Sequence, residues 1–115
     1  MEQKDTHLNK STLSLRIKKE FLMQIVSGQK KEEYRSFDDY YISRFCILNK
    51  DFLISDMKRF EYVNFYVGNK KESLFAIVKC NGIYLDTFET EIKGAPPVGT
   101  RCFTIELGEV VETNV

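Results

Sequence analysis

A run of mixed charge follows directly on a glycine-stopped helical pattern, in Gly28-Gln29-Lys30-Lys31-Glu32-Glu33-Tyr34-Arg35. This stretch constrains the fold more than any other. Upstream, Thr12 to Ile17 alternates Leu13, Leu15 and Ile17 against Ser14 and Arg16, the period of a half-buried strand. From Ile17 the period lengthens. Ile17, Phe21, Leu22, Ile25 and Val26 take helical spacing, with Lys18, Lys19, Glu20 and Gln24 opposite. Gly28 stands just past the last periodic residue, where a left-handed cap is least costly for glycine. Lys30 to Arg35 then reads as extended chain. Lys31, Glu33 and Arg35 share one face, and Lys30, Glu32 and Tyr34 the other. With charge on both faces, such a strand is either a sheet edge protected by charge or the wall of a polar cleft.

Ser36 opens a second helical pattern, with Asp39 three residues on in the manner of a capping box. Phe37, Tyr41, Phe45 and Leu48 form its apolar stripe, and its end is expected between Cys46 and Asn49. Residues 50–60 show no clean period, because Asp51, Asp56, Lys58 and Arg59 interrupt Phe52, Leu53 and Ile54. From Glu61 the chain is strand-rich. Tyr62–Val67 and Leu74–Cys80 flank the turn signal Gly68-Asn69-Lys70-Lys71 and predict a hairpin. Asn81-Gly82 is expected to punctuate before a further strand, Ile83–Phe88. Gly94-Ala95-Pro96-Pro97-Val98-Gly99 reads as a rigid loop, and Cys102–Val111 alternates as a last strand. Gly108 within it suggests a bulge or a close backbone approach. The fold class that follows is α+β: a small, mostly antiparallel, partly closed β-barrel with two helices near the N-terminus.

A chain of 115 residues is expected to make one domain without a covalent staple. Residues 1–11 are read as a polar arm with no secretory leader, and no apolar run approaches a membrane span. Cys46, Cys80 and Cys102 are far apart, and the single histidine, His7, lies in the arm. Neither a disulfide framework nor a metal site is expected, no cofactor is implied, and the location expected is the cytoplasm. Without a usable histidine, a Cys-His or Ser-His-Asp nucleophile has no base. Formal net charge is zero, yet residues 1–60 carry 12 Lys and Arg against 9 Asp and Glu, and residues 61–115 carry 5 against 8. That balance argues against broad phosphate neutralisation. It leaves room for a local basic patch of Arg16, Lys18, Lys19, Lys30, Lys31 and Arg35.

Gly28-x-Lys30-x-x-Glu33-x-Arg35, set directly after a short helix, resembles the Gly-x-Lys-x-x-Glu-x-Arg signature of ASCH domains in the PUA-like superfamily of small β-barrels. Tyr40-Tyr41-x-x-Arg44 is similar to the aromatic pair and arginine in the second helix of some bacterial and phage members. Phe103 to Val111 is similar to their last strand. The resemblance covers about residues 12–112 and assigns 12–115 to an ASCH/PUA-like domain. It implies action on RNA, as a binding module or as an enzyme, with members that hydrolyse the amide of N4-acetylated cytidine or act as ribonucleases. In those amidohydrolases a threonine stands three residues after the signature lysine, where this chain has Glu33. The distal glutamate of that set has no clear counterpart, Glu106 and Glu61 being the candidates.

The residues themselves suggest two uses of one cleft. Glu33 would serve as a general base and Lys30 as a donor to a developing oxyanion. Alternatively Lys30, Glu33, Arg35, Tyr40, Arg44 and Tyr66 would bind RNA or a modified nucleotide. In that use Arg35 takes a phosphate or forks onto Glu33, and rings among Tyr34, Tyr40, Tyr41, Phe65 and Tyr66 stack on a base. Binding is the expected function, hydrolysis of an acylated nucleoside or of RNA the alternative, and no membrane partner is expected.

Overall fold

The computed structural model describes residues 11–68, 73–88 and 95–115. Among the described residues seven strands and two helices follow in order: β1 (Thr12–Arg16), α1 (Lys19–Ser27), β2 (Glu32–Ser36), α2 (Asp39–Phe45), β3 (Cys46–Leu48), β4 (Ile54–Met57), β5 (Tyr62–Tyr66), β6 (Phe75–Thr87) and β7 (Arg101–Thr113). The main sheet has the order β1-β5-β6-β7-β2, and β3-β4 form a second, two-stranded sheet. The main sheet is mixed, with β1 parallel to β5 and both β5–β6 and β2–β7 antiparallel. It is open: β1 and β2 are its edges, so the strands do not close into a complete barrel. Both edge strands are only five residues long, and β2 carries charge, which are two ways of protecting an open edge.

The chain divides into two compact units. The first takes the stretch up to Lys31 with Phe60–Asn81 and Leu107–Val115. Its core is Leu13 and Leu15 of β1, Val63 and Phe65 of β5, Ala76 and Val78 of β6, and Leu22 and Ile25 of α1, all buried. The alternation of β1 and β5 and the helical spacing of α1 each bring one apolar face to that core. Gly28 ends α1 as its position predicts. Its φ is +87° and its N–H donates to the Ile25 carbonyl at 3.1 Å.

The second unit takes Glu32–Arg59 and Gly82–Glu106. Phe45, Cys46, Ile83, Cys102, Phe103 and Ile105 are buried in it. The phenyl rings of Phe45 and Phe103 meet edge to face, with centroids 5.1 Å apart. Burial pushes the thiols of Cys46 and Cys102 above their ordinary range. They pack as small apolar groups.

Several predicted boundaries move. The second helix starts later than Ser36, because Asp38 caps it: its carboxylate accepts from the Tyr41 N–H at 3.0 Å and from the Ser36 hydroxyl at 2.6 Å. It also stops at Phe45, and Leu48 of the expected stripe lies on β3 instead. The aperiodic residues 50–60 contain a strand, β4. Asn81-Gly82 does not interrupt the chain's extended course, since β6 runs through it for 13 residues. Gly82 permits this with φ +147°, and a Cβ there would lie 2.6 Å from the Tyr84 hydroxyl. Gly108 is a close approach, since a Cβ on it would lie 3.1 Å from Lys79 Cβ.

The polar arm before Ser11, the turn residues 69–71 and Gly94 of the Pro-Pro loop lie outside the described residues. Among the described residues no helix is long and apolar enough to cross a membrane.

Candidate nucleic-acid surface

In the second unit the signature strand sets Glu33 and Arg35 on one face. β2 pairs with β7 so that Glu33 lies opposite Ile105 and Arg35 opposite Phe103. Cross-strand partners share a face, so these charged groups stand beside two fully buried apolar residues. Glu33 is itself only 5% exposed. Arg35 Nη1 donates to Glu33 Oε2, and to the Tyr34 carbonyl at 3.3 Å. A buried carboxylate needs such a partner, and the two-residue spacing on one strand face supplies it. On the other face the Tyr34 hydroxyl donates to Glu32 at 2.7 Å, and its ring meets Phe88 edge-on. Burial first, and then the Glu32 carboxylate, push the Tyr34 phenol well above its ordinary range. Glu106, one of the two candidate distal glutamates, lies opposite Glu32 on β7.

Around α2 the guanidinium groups lie against rings. Arg35 Cζ is 6.0 Å from the Tyr41 ring centroid, Arg44 Cζ 5.6 Å from Tyr40, and Arg101 Cζ 4.9 Å from Phe37. The Arg44 pair follows from helical geometry, since residues four apart lie on one face. Arg44 also donates to the Tyr40 hydroxyl at 2.8 Å. Tyr40 is 58% exposed and stands edge-on to Tyr41, which stacks on Phe45. The aromatic ladder thus runs from the core at Phe45 to solvent at Tyr40.

In the first unit, Lys30 lies in the connection after Gly28, its N–H donating to the Gln24 carbonyl at 3.0 Å. Its ammonium is 5.4 Å from the Phe21 ring centroid. Tyr66 is covered by Arg16, with Cζ at 5.9 Å.

Of the residues nominated from the sequence, Lys30, Arg35, Tyr40, Arg44 and Tyr66 each belong to a cation–ring pair, and Glu33 belongs to an ion pair. Phe65 is fully buried and offers no ring for stacking. Arg101 and Phe37 were not nominated for the site. Their pairing joins β7 to the approach to α2, and no local spacing announces it. Among the described residues no group of three or more His, Cys, Asp and Glu side chains could hold a metal ion. No protein-family model, curated protein or solved structure matches this chain.

Proposed function

We propose that the protein binds RNA, or a modified nucleotide of the kind RNA carries, on the arginine–aromatic surface around α2. The observation that carries this reading is the set of three guanidinium–ring pairs there, Arg35–Tyr41, Arg44–Tyr40 and Arg101–Phe37. Cation–ring contacts strengthen as they are desolvated, and three of them lie within this one compact unit. Guanidinium planes and tyrosine rings are the two surfaces on which unpaired bases stack, and arginine also takes phosphate. The likeness of Gly28-x-Lys30-x-x-Glu33-x-Arg35 to the ASCH signature supports the same ligand class.

Hydrolysis gains no such support. The Glu33 carboxylate, the nominated base, already accepts from Arg35. The test is fluorescence anisotropy of a labelled short single-stranded RNA. Wild type is expected to bind, and Arg44→Ala and Arg101→Ala are each expected to weaken binding by about fivefold or more. Equal binding by all three proteins, or none by wild type, would overturn the reading.

A further inference from the structure

The β3–β4 hairpin carries its apolar residues at the wrong end for folding. Phe52 is 83% exposed and Leu53 63%, and Ile47, Leu48 and Ile54 are also exposed. The turn that presents them is built with care. Asn49 Oδ1 accepts from the N–H groups of Asp51 at 2.8 Å and Leu53 at 3.1 Å. The Asn49 N–H donates to the Leu53 carbonyl at 2.9 Å, and Phe52 N–H to the Asn49 carbonyl at 3.0 Å. Phe52 itself has φ +63°, the one non-glycine residue of positive φ among those described. A bulky side chain pays a steric penalty there that glycine avoids. The position strains the backbone and buries almost none of the ring, so folding does not account for a phenylalanine there.

The surroundings select the occupant. The hairpin base is fixed to the C-terminal end of α2: Lys58 Nζ donates to the Ser43 carbonyl at 3.0 Å and Lys58 N–H to the Phe45 carbonyl at 2.8 Å. The hairpin therefore follows directly on the helix that bears Tyr40 and Arg44. The hairpin and its base, Cys46 to Arg59, carry Lys50, Lys58 and Arg59 against Asp51 and Asp56, a small positive excess that complements phosphate, set against Asp38 and Asp39 at the start of α2. One feature disfavours a protein strand pairing here: the Met57 N–H donates to the Asp56 carboxylate at 2.8 Å, which removes a donor that a further strand would need.

We propose that the β3–β4 apex is a nucleobase-stacking finger. An unpaired base of an RNA strand lying on α2 packs against the Phe52 ring beside Leu53, and Lys50 and Arg59 neutralise its phosphates. The finger rests on the RNA reading of the α2 surface and adds to it a second contact and a preference for unpaired bases.

The chain has no tryptophan, so Phe52→Trp places a sole tryptophan, selectively excitable beside the tyrosines, at the apex and keeps an aromatic ring there. Titration with short single-stranded RNA is expected to quench its emission along the binding curve that wild type gives by anisotropy. Phe52→Ala is expected to bind that RNA roughly five- to a hundredfold more weakly, at unchanged melting temperature. No RNA binding by wild type would remove the α2 reading and the finger with it. Binding by wild type that Phe52→Ala matches, with no quenching in Phe52→Trp, would overturn the finger alone. A blue shift on phosphatidylserine vesicles without quenching by RNA would assign the apex to lipid instead. A dimer in sedimentation that Phe52→Ala abolishes would assign it to a second copy of the chain. Either result overturns the proposal.

Discussion

Glu33 shows how a charged residue enters a core in this protein. It stands across from Ile105 and is 5% exposed, so its carboxylate depends on Arg35. Arg35→Ala is expected to destabilise the fold by about 3 kcal/mol, because it leaves a buried charge without its partner. Replacing the pair together, as Glu33→Leu with Arg35→Met, is expected to recover most of that loss in urea denaturation. Unchanged stability in Arg35→Ala would show that the pair is dispensable. Asp38 offers a test by pH. The Ser36 hydroxyl first, and then the Tyr41 N–H, hold its carboxyl below the ordinary carboxylate range. A depressed native pKa contributes stability that is present above the unfolded value. That contribution is lost as pH falls through the native value. Thermal melting of wild type and Asp38→Asn is expected to agree near neutral pH, since asparagine also caps helices. As pH falls through the acid range, wild type is expected to lose stability more steeply than Asp38→Asn, which has no carboxyl to protonate there, and parallel curves would show that this carboxylate contributes nothing.

Helix α1 and its stop were legible because each signal was local. Four apolar residues at helical spacing, Phe21, Leu22, Ile25 and Val26, lie in the helix, Ile17 of the expected stripe precedes it with its N–H on the Tyr66 carbonyl, and a glycine follows where the left-handed cap is needed. Gly28→Ala is expected to cost about 1 kcal/mol in chemical denaturation, with α1 otherwise retained. A cost near zero would mean that the connection to Lys30 tolerates another backbone path. The β3–β4 hairpin was not legible, for a physical reason. Its register shifts between Ile47 and Leu48, so alternation breaks within three residues, and its apolar side chains face solvent instead of a core. Periodicity reports burial, and a hairpin that buries little leaves little period. The run of β6 through Asn81-Gly82 was hidden differently. The dipeptide is a turn signal, but β7 lies beside β6 in the sheet and the strand is 13 residues long. The ladder to a neighbouring strand overrides the local preference. The site divides on the same line. Arg44 and Tyr40 are four apart on a helix and could be anticipated together, whereas Arg101 meets Phe37 only through the tertiary fold.

The whole chain is formally neutral, and this sets how it would hold RNA. In the RNA reading, Arg44 and Arg101 beside their rings are assigned the phosphate contacts around α2, and Arg35 is assigned to Glu33. Each phosphate neutralised on a single strand contributes about −0.7 to the slope of log affinity against log salt. Two such contacts predict a slope of about −1.5, rising to about −3 if Lys50 and Arg59 also engage. Base stacking releases few counterions, so the remaining affinity is expected to persist at high salt. Anisotropy titrations across a salt series measure the slope directly. A shallow slope that Arg44→Ala lowers further, while Phe52→Ala reduces affinity at every salt concentration without altering it, separates charge from stacking within one protein. A slope of about −5 or steeper would mean that binding is led by phosphate neutralisation over a broader surface, and the arginine–aromatic pairs would then lose their central place in recognition.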